Sequence, residues 1–245
     1  MQFQISDWVN DNHRGNNIMK TTAIVLAAGS GKRMNSKVHK QYLLIDEKPV
    51  LYYALKAFEE SAVDEIVLVV GAGEIEFCRG EIVDKFGIGK VKAIIEGGKE
   101  RYHSVYEGLK EAAGTDYVLI HDGARPFLTQ EIIERTLEAV MKYQACVVGM
   151  PVKDTVKIVD EDTFAKETPN RSMVWQVQTP QAFAYNVVYD AYTKMFEIDE
   201  SGITDDAMVV ERMTEYKVKL IEGSYRNIKI TTPEDLLVAE AYLKK

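Results

Sequence analysis

Apolar positions in this chain fall into short unbroken runs separated by segments of helical spacing. Residues 23–28 (AIVLAA) form the first run, and residues 65–70, 91–95, 117–120 and 145–150 repeat its character. A strand that is apolar on both faces must be covered on both sides, which is the situation of a strand inside an α/β sheet. Between these runs, residues 49–60, 75–86, 102–113 and 130–143 read as amphipathic helices. Such alternation predicts a mostly parallel sheet flanked by helices, with its ligand site at the carboxyl ends of the strands.

The pattern breaks after Pro151. Residues 155–177 are polar and β-prone, with turn-like Asp160-Glu161-Asp162 and Thr168-Pro169-Asn170. They read as an arm of antiparallel strands leaving the core at about residues 152–177. Helical patterns return at 185–196 and 204–213, and a strand follows at 218–221. A last helix opens at Thr232-Pro233-Glu234-Asp235, where threonine can cap, proline suits the first turn and the acids meet the positive helix end. Residues 1–18 are polar, Asn/Asp-rich and without periodicity. They are expected to be a disordered extension or a start placed too early, ahead of a domain at 19–245, with a short docked helix over 5–9 as the other reading.

Composition narrows the classes. Apolar residues make up 46% of the 245, enough for a full core, and the formal charge of −8 argues against a non-specific nucleic-acid binder. A few local cations can still dominate a pocket for an anion. Cys78 and Cys146 lie far apart and in no metal or redox spacing, so both read as core residues. No run approaches the roughly 18 apolar residues of a membrane span. The first residues lack the apolar stretch of a signal peptide, and the expected location is the cytoplasm.

The first strand runs into Leu26-Ala27-Ala28-Gly29-Ser30-Gly31-Lys32-Arg33-Met34. Small residues let a ligand approach the backbone, and exposed N–H groups can hold phosphate oxygens. The spacing of a P-loop is absent, and Met34 stands where a dinucleotide fingerprint needs its third glycine, which removes a Rossmann oxidoreductase. Lys32, Arg33, Lys37 and Lys40 suggest a triphosphate held by side chains as well as backbone; the other reading is a Gly-rich turn with solvated cations.

Taken with Lys40-Gln41-Tyr42, this loop resembles the nucleotidyltransferases, and most closely the 2-C-methyl-D-erythritol 4-phosphate cytidylyltransferases of the non-mevalonate isoprenoid pathway. The resemblance continues through residues 97–105 (GGKERYHSV), 121–126 (HDGARP), 151–157 (PVKDTVK), 171–181, 204–207 (TDDA) and 227–233 (NIKITTP), in family order from about Thr22 to the C-terminus. It implies a Rossmann-like nucleotidyltransferase fold with a protruding β-arm. The implied reaction is transfer of CMP from CTP to the polyol phosphate, with release of pyrophosphate.

By that resemblance, Arg33 and Lys40 stabilise charge over the triphosphate. Leu26, Ala27, Ala28, Gly29 and Gly31 cradle the nucleotide. Gly97, Gly98 and Ser104 form the base and ribose pocket, with Lys99 standing where some members carry an acid. Asp122 and Arg125 lie near the ribose and the sugar phosphate; read from the residues alone they could also be a structural ion pair. Thr155, Arg171, Thr179 and Lys229 serve the acceptor phosphate. One departure is His39, where the family usually has proline, so the loop before Lys40 is expected to be less rigid. His121 is given no role.

The same resemblance implies Mg²⁺ held mainly by the CTP phosphates, with no dedicated protein metal site, and a homodimer whose arms complete each other's sites. It implies no nucleic-acid polymer and no membrane as partner. Two other functions share many of these residues. A ribitol 5-phosphate (pentitol phosphate) cytidylyltransferase would share the phosphate loop and the Asn227-Ile228-Lys229 block, although Trp175 and residues 204–207 resemble the methylerythritol enzymes more. A nucleotide-sensing module without turnover would be expected to have lost cations at positions 33, 40, 171 and 229, all of which are present.

Overall fold

A computed structural model describes residues 19–29, 39–198 and 201–244. Thr21–Ala27 forms strand β1; Leu44–Ile45 and Lys48–Pro49 form the short hairpin β2–β3 that leads into helix α1, Val50–Glu59. Strand β4 is Glu65–Val70, and helix α2 starts at Ile75–Cys78 and continues through a π-type turn over Arg79–Asp84. Next come β5 (Val91–Glu96), α3 (Arg101–Glu111), β6 (Tyr117–Asp122), α4 (Gln130–Tyr143) and β7 (Ala145–Pro151). The arm carries β8 (Ile158–Val159) and β9 (Ala165–Glu167). The chain returns through β10 (Trp175–Ala184), α5 (Tyr185–Ile198), α6 (Asp206–Met213), β11 (Lys219–Glu222) and α7 (Pro233–Leu243).

Among the described residues, seven strands make one sheet in the order β11-β7-β10-β6-β1-β4-β5. All its pairings are parallel except those of β10, which runs antiparallel to both β6 and β7. Alternation along β1 explains the unbroken apolar run. Ala23, Val25 and Ala27 face one core, built with Leu51 and Phe58 of α1 and Ile133 of α4. Ile24 faces the other, with Val105 and Leu109 of α3, Val188 and Tyr192 of α5 and Val210 of α6. A third, smaller core of Ile45, Val50, Ile230 and Ala239 fixes α7 against the hairpin. It also draws residues 227–230 to the strand ends, where the Ile230 N–H donates to the Ala124 carbonyl at 2.8 Å.

The expected helices and strands are present with ends displaced by a few residues. β10 and the short β2–β3 hairpin are elements the apolar pattern does not announce. The arm is accordingly shorter at its far end than residue 177, because Trp175, Gln176 and Val177 are already in register with Pro151, Met150 and Gly149. Within the arm an antiparallel pair forms as expected, with Ile158 opposite Glu167. Residues 1–18, expected to be disordered, lie outside the described residues. No helix among the described residues is long and apolar enough to cross a membrane.

Candidate active site

Strands β6, β1, β4 and β5 run parallel in that order, and the ends of β6, β1 and β5 open into a cleft of about 390 Å³. Residues 26–29, leaving β1, form one wall. The opposite wall is the turn from β5 into α3. A Cβ at Gly97 would lie 2.5 Å from Ser104 Oγ and 2.7 Å from Ala28 Cβ, so only glycine lets the two walls meet. At Gly98 a Cβ would collide with the Cβ of His103. The Gly98 N–H donates to Ser104 Oγ at 3.1 Å, and Ser104 is buried. The serine hydroxyl therefore fixes a backbone-lined turn above the start of α3.

The floor is ionic. Asp122 ends β6, and its carboxylate receives Lys229 Nζ at 2.8 Å and Arg101 Nε at 3.3 Å, with Arg125 Nε at 3.6 Å. Burial would push the Asp122 carboxyl up, but Arg101, then Lys229 and Arg125, hold it well below the usual carboxylate range. It stays ionised and anchors three cations. Its backbone N–H donates to Thr179 Oγ1 at 3.1 Å, and that hydroxyl lies 2.9 Å from His121 Nδ1. Asn227 completes the floor from the other side: its side-chain amide donates to the Thr179 carbonyl at 2.9 Å, and its backbone carbonyl accepts from Arg125 at 2.8 Å. These bonds deliver Lys229, two residues on, to the cleft.

Arg101 is itself held from behind. Its two terminal nitrogens each donate to one oxygen of Asp206 at 2.8 Å, and the Tyr192 hydroxyl donates to the same carboxylate at 2.6 Å. Asp206 and Tyr192 are fully buried. Among the described residues, four cationic side chains, Lys40, Lys99, Arg101 and Lys229, line the cleft against two carboxylates, Glu100 and Asp122. In a chain of net charge −8, this cleft is locally positive and suited to a polyanion.

The structure brings together most of the residues singled out from sequence. Leu26, Ala27, Ala28, Gly29, Lys40, Gly98, Ser104, Asp122 and Lys229 line the cleft, with Gly97, Arg125 and Thr179 directly behind them. Lys40 stands on a 3₁₀ turn, Lys40–Tyr42, which is tied to the end of β1 by the Gln41 amide donating to the Ala27 carbonyl. Gly31 and Arg33 lie outside the described residues. Thr155 and Arg171 are not brought to this cleft: both sit exposed on the arm, where Arg171 donates to the Lys153 carbonyl at 2.9 Å.

Gln41, Arg101 and Asp206 are the working parts that residue-by-residue reading left without roles. Their signal was present in the blocks 40–42, 97–105 and 204–207. Nothing local tells that Arg101 and Asp206, 105 positions apart, meet.

Comparison with known proteins gives the family. The sequence profile of 2-C-methyl-D-erythritol 4-phosphate cytidylyltransferase matches residues 21–245. The protein of that name from Lachnoclostridium phytofermentans is 51% identical over 226 residues, covering 92% of this chain and 97% of the relative. That from Lachnospira eligens is 52% identical over 225 residues, covering 91% and 99%. Among solved structures, the 4-diphosphocytidyl-2C-methyl-D-erythritol synthase of Anaerococcus prevotii superposes with a TM-score of 0.83 at 37% identity, covering 93% of this chain and 97% of that one. The cytidylyltransferase of Thermus thermophilus gives 0.73 at 30% identity, covering 91% and 98%. This chain belongs to the 2-C-methyl-D-erythritol 4-phosphate cytidylyltransferase family.

Proposed function

We propose that this cleft joins the CMP moiety of CTP to the phosphate of 2-C-methyl-D-erythritol 4-phosphate, giving 4-diphosphocytidyl-2-C-methyl-D-erythritol and pyrophosphate. The observation that carries the reading is the pairing of a backbone-lined pocket at Gly98 and Ser104 with a cationic floor organised by Asp122. The first suits a compact pyrimidine, the second a phosphate. An oxygen of the acceptor phosphate attacks the α-phosphorus; its P–O bond forms as the bond to the β-phosphate breaks and pyrophosphate departs in line. A phosphate monoester is already ionised near neutral pH, so no side chain has to take a proton. What remains is neutralising and aligning two anions.

In this reading Lys40 and Arg33 face the triphosphate, residues 26–31 cradle it, and Gly97, Gly98 and Ser104 hold the base and ribose. Lys229, Arg125 and Thr179 serve the acceptor, with Arg171 and Thr155 supplied by the arm of a second subunit in a homodimer. Among the described residues no three His, Cys, Asp or Glu side chains gather as a metal site, and the carboxylate of Asp122 is already engaged by cations. That donor set fits Mg²⁺ carried by triphosphate oxygens and water, where the ion offsets phosphate charge. A cytoplasmic location, where CTP is supplied, belongs to the same reading.

The test is pyrophosphate release by the purified protein with Mg²⁺, comparing CTP with ATP and GTP and the methylerythritol phosphate with ribitol 5-phosphate. Turnover should need CTP and prefer the branched acceptor. Equal turnover with ATP would remove the cytidylyl assignment, and preference for ribitol 5-phosphate would reassign the acceptor.

A further inference from the structure

Lys40 owes its place in part to residues outside the cleft. The turn that carries it, residues 39–42, is held through Gln41, Tyr42 and His39. At Gln41, which is buried, the side-chain amide donates to the Ala27 carbonyl. At the two ends, His39 and Tyr42 converge on one carboxylate, that of Glu74, the residue preceding α2. The Tyr42 hydroxyl donates to Glu74 Oε2 at 2.7 Å, and His39 Nδ1 lies 2.7 Å from Glu74 Oε1 without hydrogen-bond geometry. The same Oε2 accepts the Gly71 N–H at 3.0 Å. A Cβ at Gly71 would stand 2.7 Å from that oxygen, so glycine at the end of β4 keeps the space the carboxylate occupies. The Tyr42 ring meets Phe77 edge-on at 5.0 Å, and its hydroxyl lies 3.1 Å from Cys78 Sγ. The fourth residue of the turn, Lys40, lines the cleft.

We infer that Glu74 is a positioning residue for Lys40: its carboxylate holds Tyr42 at one end of the 39–42 turn, stands against His39 at the other, and sets where the lysine enters the cleft. The inference rests on the reading of Lys40 as a group facing the triphosphate. Misplacing a charge-stabilising group by about an ångström can lower turnover by as much as about 10²-fold while leaving ground-state binding largely intact. Backbone geometry supplies an independent handle. His39 has φ −62° and ψ 140°, and proline is locked at that same φ of about −65°. Proline at position 39 would restrain the turn through its backbone without needing the carboxylate.

The experiment measures steady-state kinetics and melting temperature for Lys40→Ala, Glu74→Ala, Glu74→Gln, Tyr42→Phe and the double variants Lys40→Ala/Glu74→Ala and His39→Pro/Glu74→Ala. Lys40→Ala should lower kcat about 10²-fold. Glu74→Ala should lower kcat about tenfold or more, with the KM for CTP within about twofold of the original. Added to Lys40→Ala it should cost nothing further, since both remove the same contribution. His39→Pro should restore most of the kcat lost in Glu74→Ala. Glu74→Gln, which keeps an acceptor for Tyr42, should lose less than Glu74→Ala. A normal kcat in folded Lys40→Ala would fail the reading of Lys40 itself. An impaired Lys40→Ala beside a folded Glu74→Ala of unchanged kcat, or full additivity of the two losses, would overturn the role of Glu74 alone. Should Glu74→Ala not fold, Tyr42→Phe carries the same cycle with Lys40→Ala: non-additive loss supports the clamp and additive loss overturns it.

Discussion

Arg101 grips Asp206 through two parallel N–H···O bonds of 2.8 Å while its Nε reaches Asp122 at 3.3 Å, so one guanidinium joins a buried acid to the carboxylate on the cleft floor. Asp206 has no solvent exposure, whereas the Arg101 side chain keeps 29% of its own. Replacing Asp206 by asparagine would keep the shape and remove the charge that aims the fork. We expect a loss of about 3 kcal/mol, the lower end for breaking a buried pair, because water can reach part of the arginine. kcat should fall with it, since Arg101 would swing toward Asp122 and disturb the seat of Lys229. Urea denaturation and steady-state assays check both; an unchanged denaturation midpoint would mean that the pair contributes little.

Tyr192→Phe makes a finer cut at the same network. It removes only the hydroxyl that donates to Asp206 at 2.6 Å and leaves a ring packed in the core. A hydrogen bond to a charged partner contributes about 1.5–3 kcal/mol, and that loss should appear in stability. Arg101 still holds Asp206 from the other side, so kcat should fall less than in Asp206→Asn. A larger catalytic loss from Tyr192→Phe than from Asp206→Asn would contradict this order of action.

His121 makes stability depend on pH. It is fully buried between Thr179 and Phe58, and burial lowers its pKa from 6.5 to about 4, outweighing the pull of Asp122. The unfolded chain takes up a proton near pH 6.5 and the folded one resists until about pH 4. The contribution is therefore complete above about pH 6.5 and declines as pH falls toward 4, by about 3 kcal/mol in all. Asparagine at 121 can keep a partner for Thr179 but cannot titrate. The slope of unfolding free energy between pH 6.5 and 4 should be shallower in His121→Asn than in the original. Equal slopes would show that His121 takes up no extra proton on unfolding.

What could be read from the sequence follows from which forces leave local traces. The apolar runs at 23–28, 65–70 and 145–150 fixed the parallel strands because burial on two faces leaves no polar positions. β10 left no such trace. Its middle is Gln178-Thr179-Pro180-Gln181, buried yet polar, and it is stable there because each group is paired. The Gln178 amide donates to the Ser224 carbonyl at 2.8 Å, and Gln181 bonds Asp205 and the Ala207 N–H. Burial of satisfied polar groups reads as loop in a hydropathy pattern. The cleft was legible through its small residues and cations. The long-range grip of Asp206 on Arg101 and the clamp of Glu74 on the Lys40 turn were not, since neither obeys a spacing rule.

The last prediction concerns the arm. Its strands β8 and β9 are short and every residue in them is exposed, with Ile158, Phe164 and Met173 at 47%, 72% and 80% exposure. Phe164 lies in the turn between the two strands and Met173 in the 3₁₀ turn that follows them, and an arm presenting such apolar side chains to water on a two-stranded ribbon is marginal alone. A second subunit would cover these groups, and a two-fold dimer would do so twice by the same contact. Thr155 and Arg171 would then reach the neighbour's cleft, the one place where their chemistry is wanted. Arg171→Ala should raise the KM for the polyol phosphate and leave CTP binding nearly unchanged. Mixed with inactive Lys40→Ala under conditions of subunit exchange, it should regain activity. Each mixed dimer has one cleft combining an intact Lys40 with an arm carrying Arg171, so random exchange should restore about a quarter of the original turnover. No recovery after demonstrated exchange, or full activity in a monomer by sedimentation, would refute the shared site.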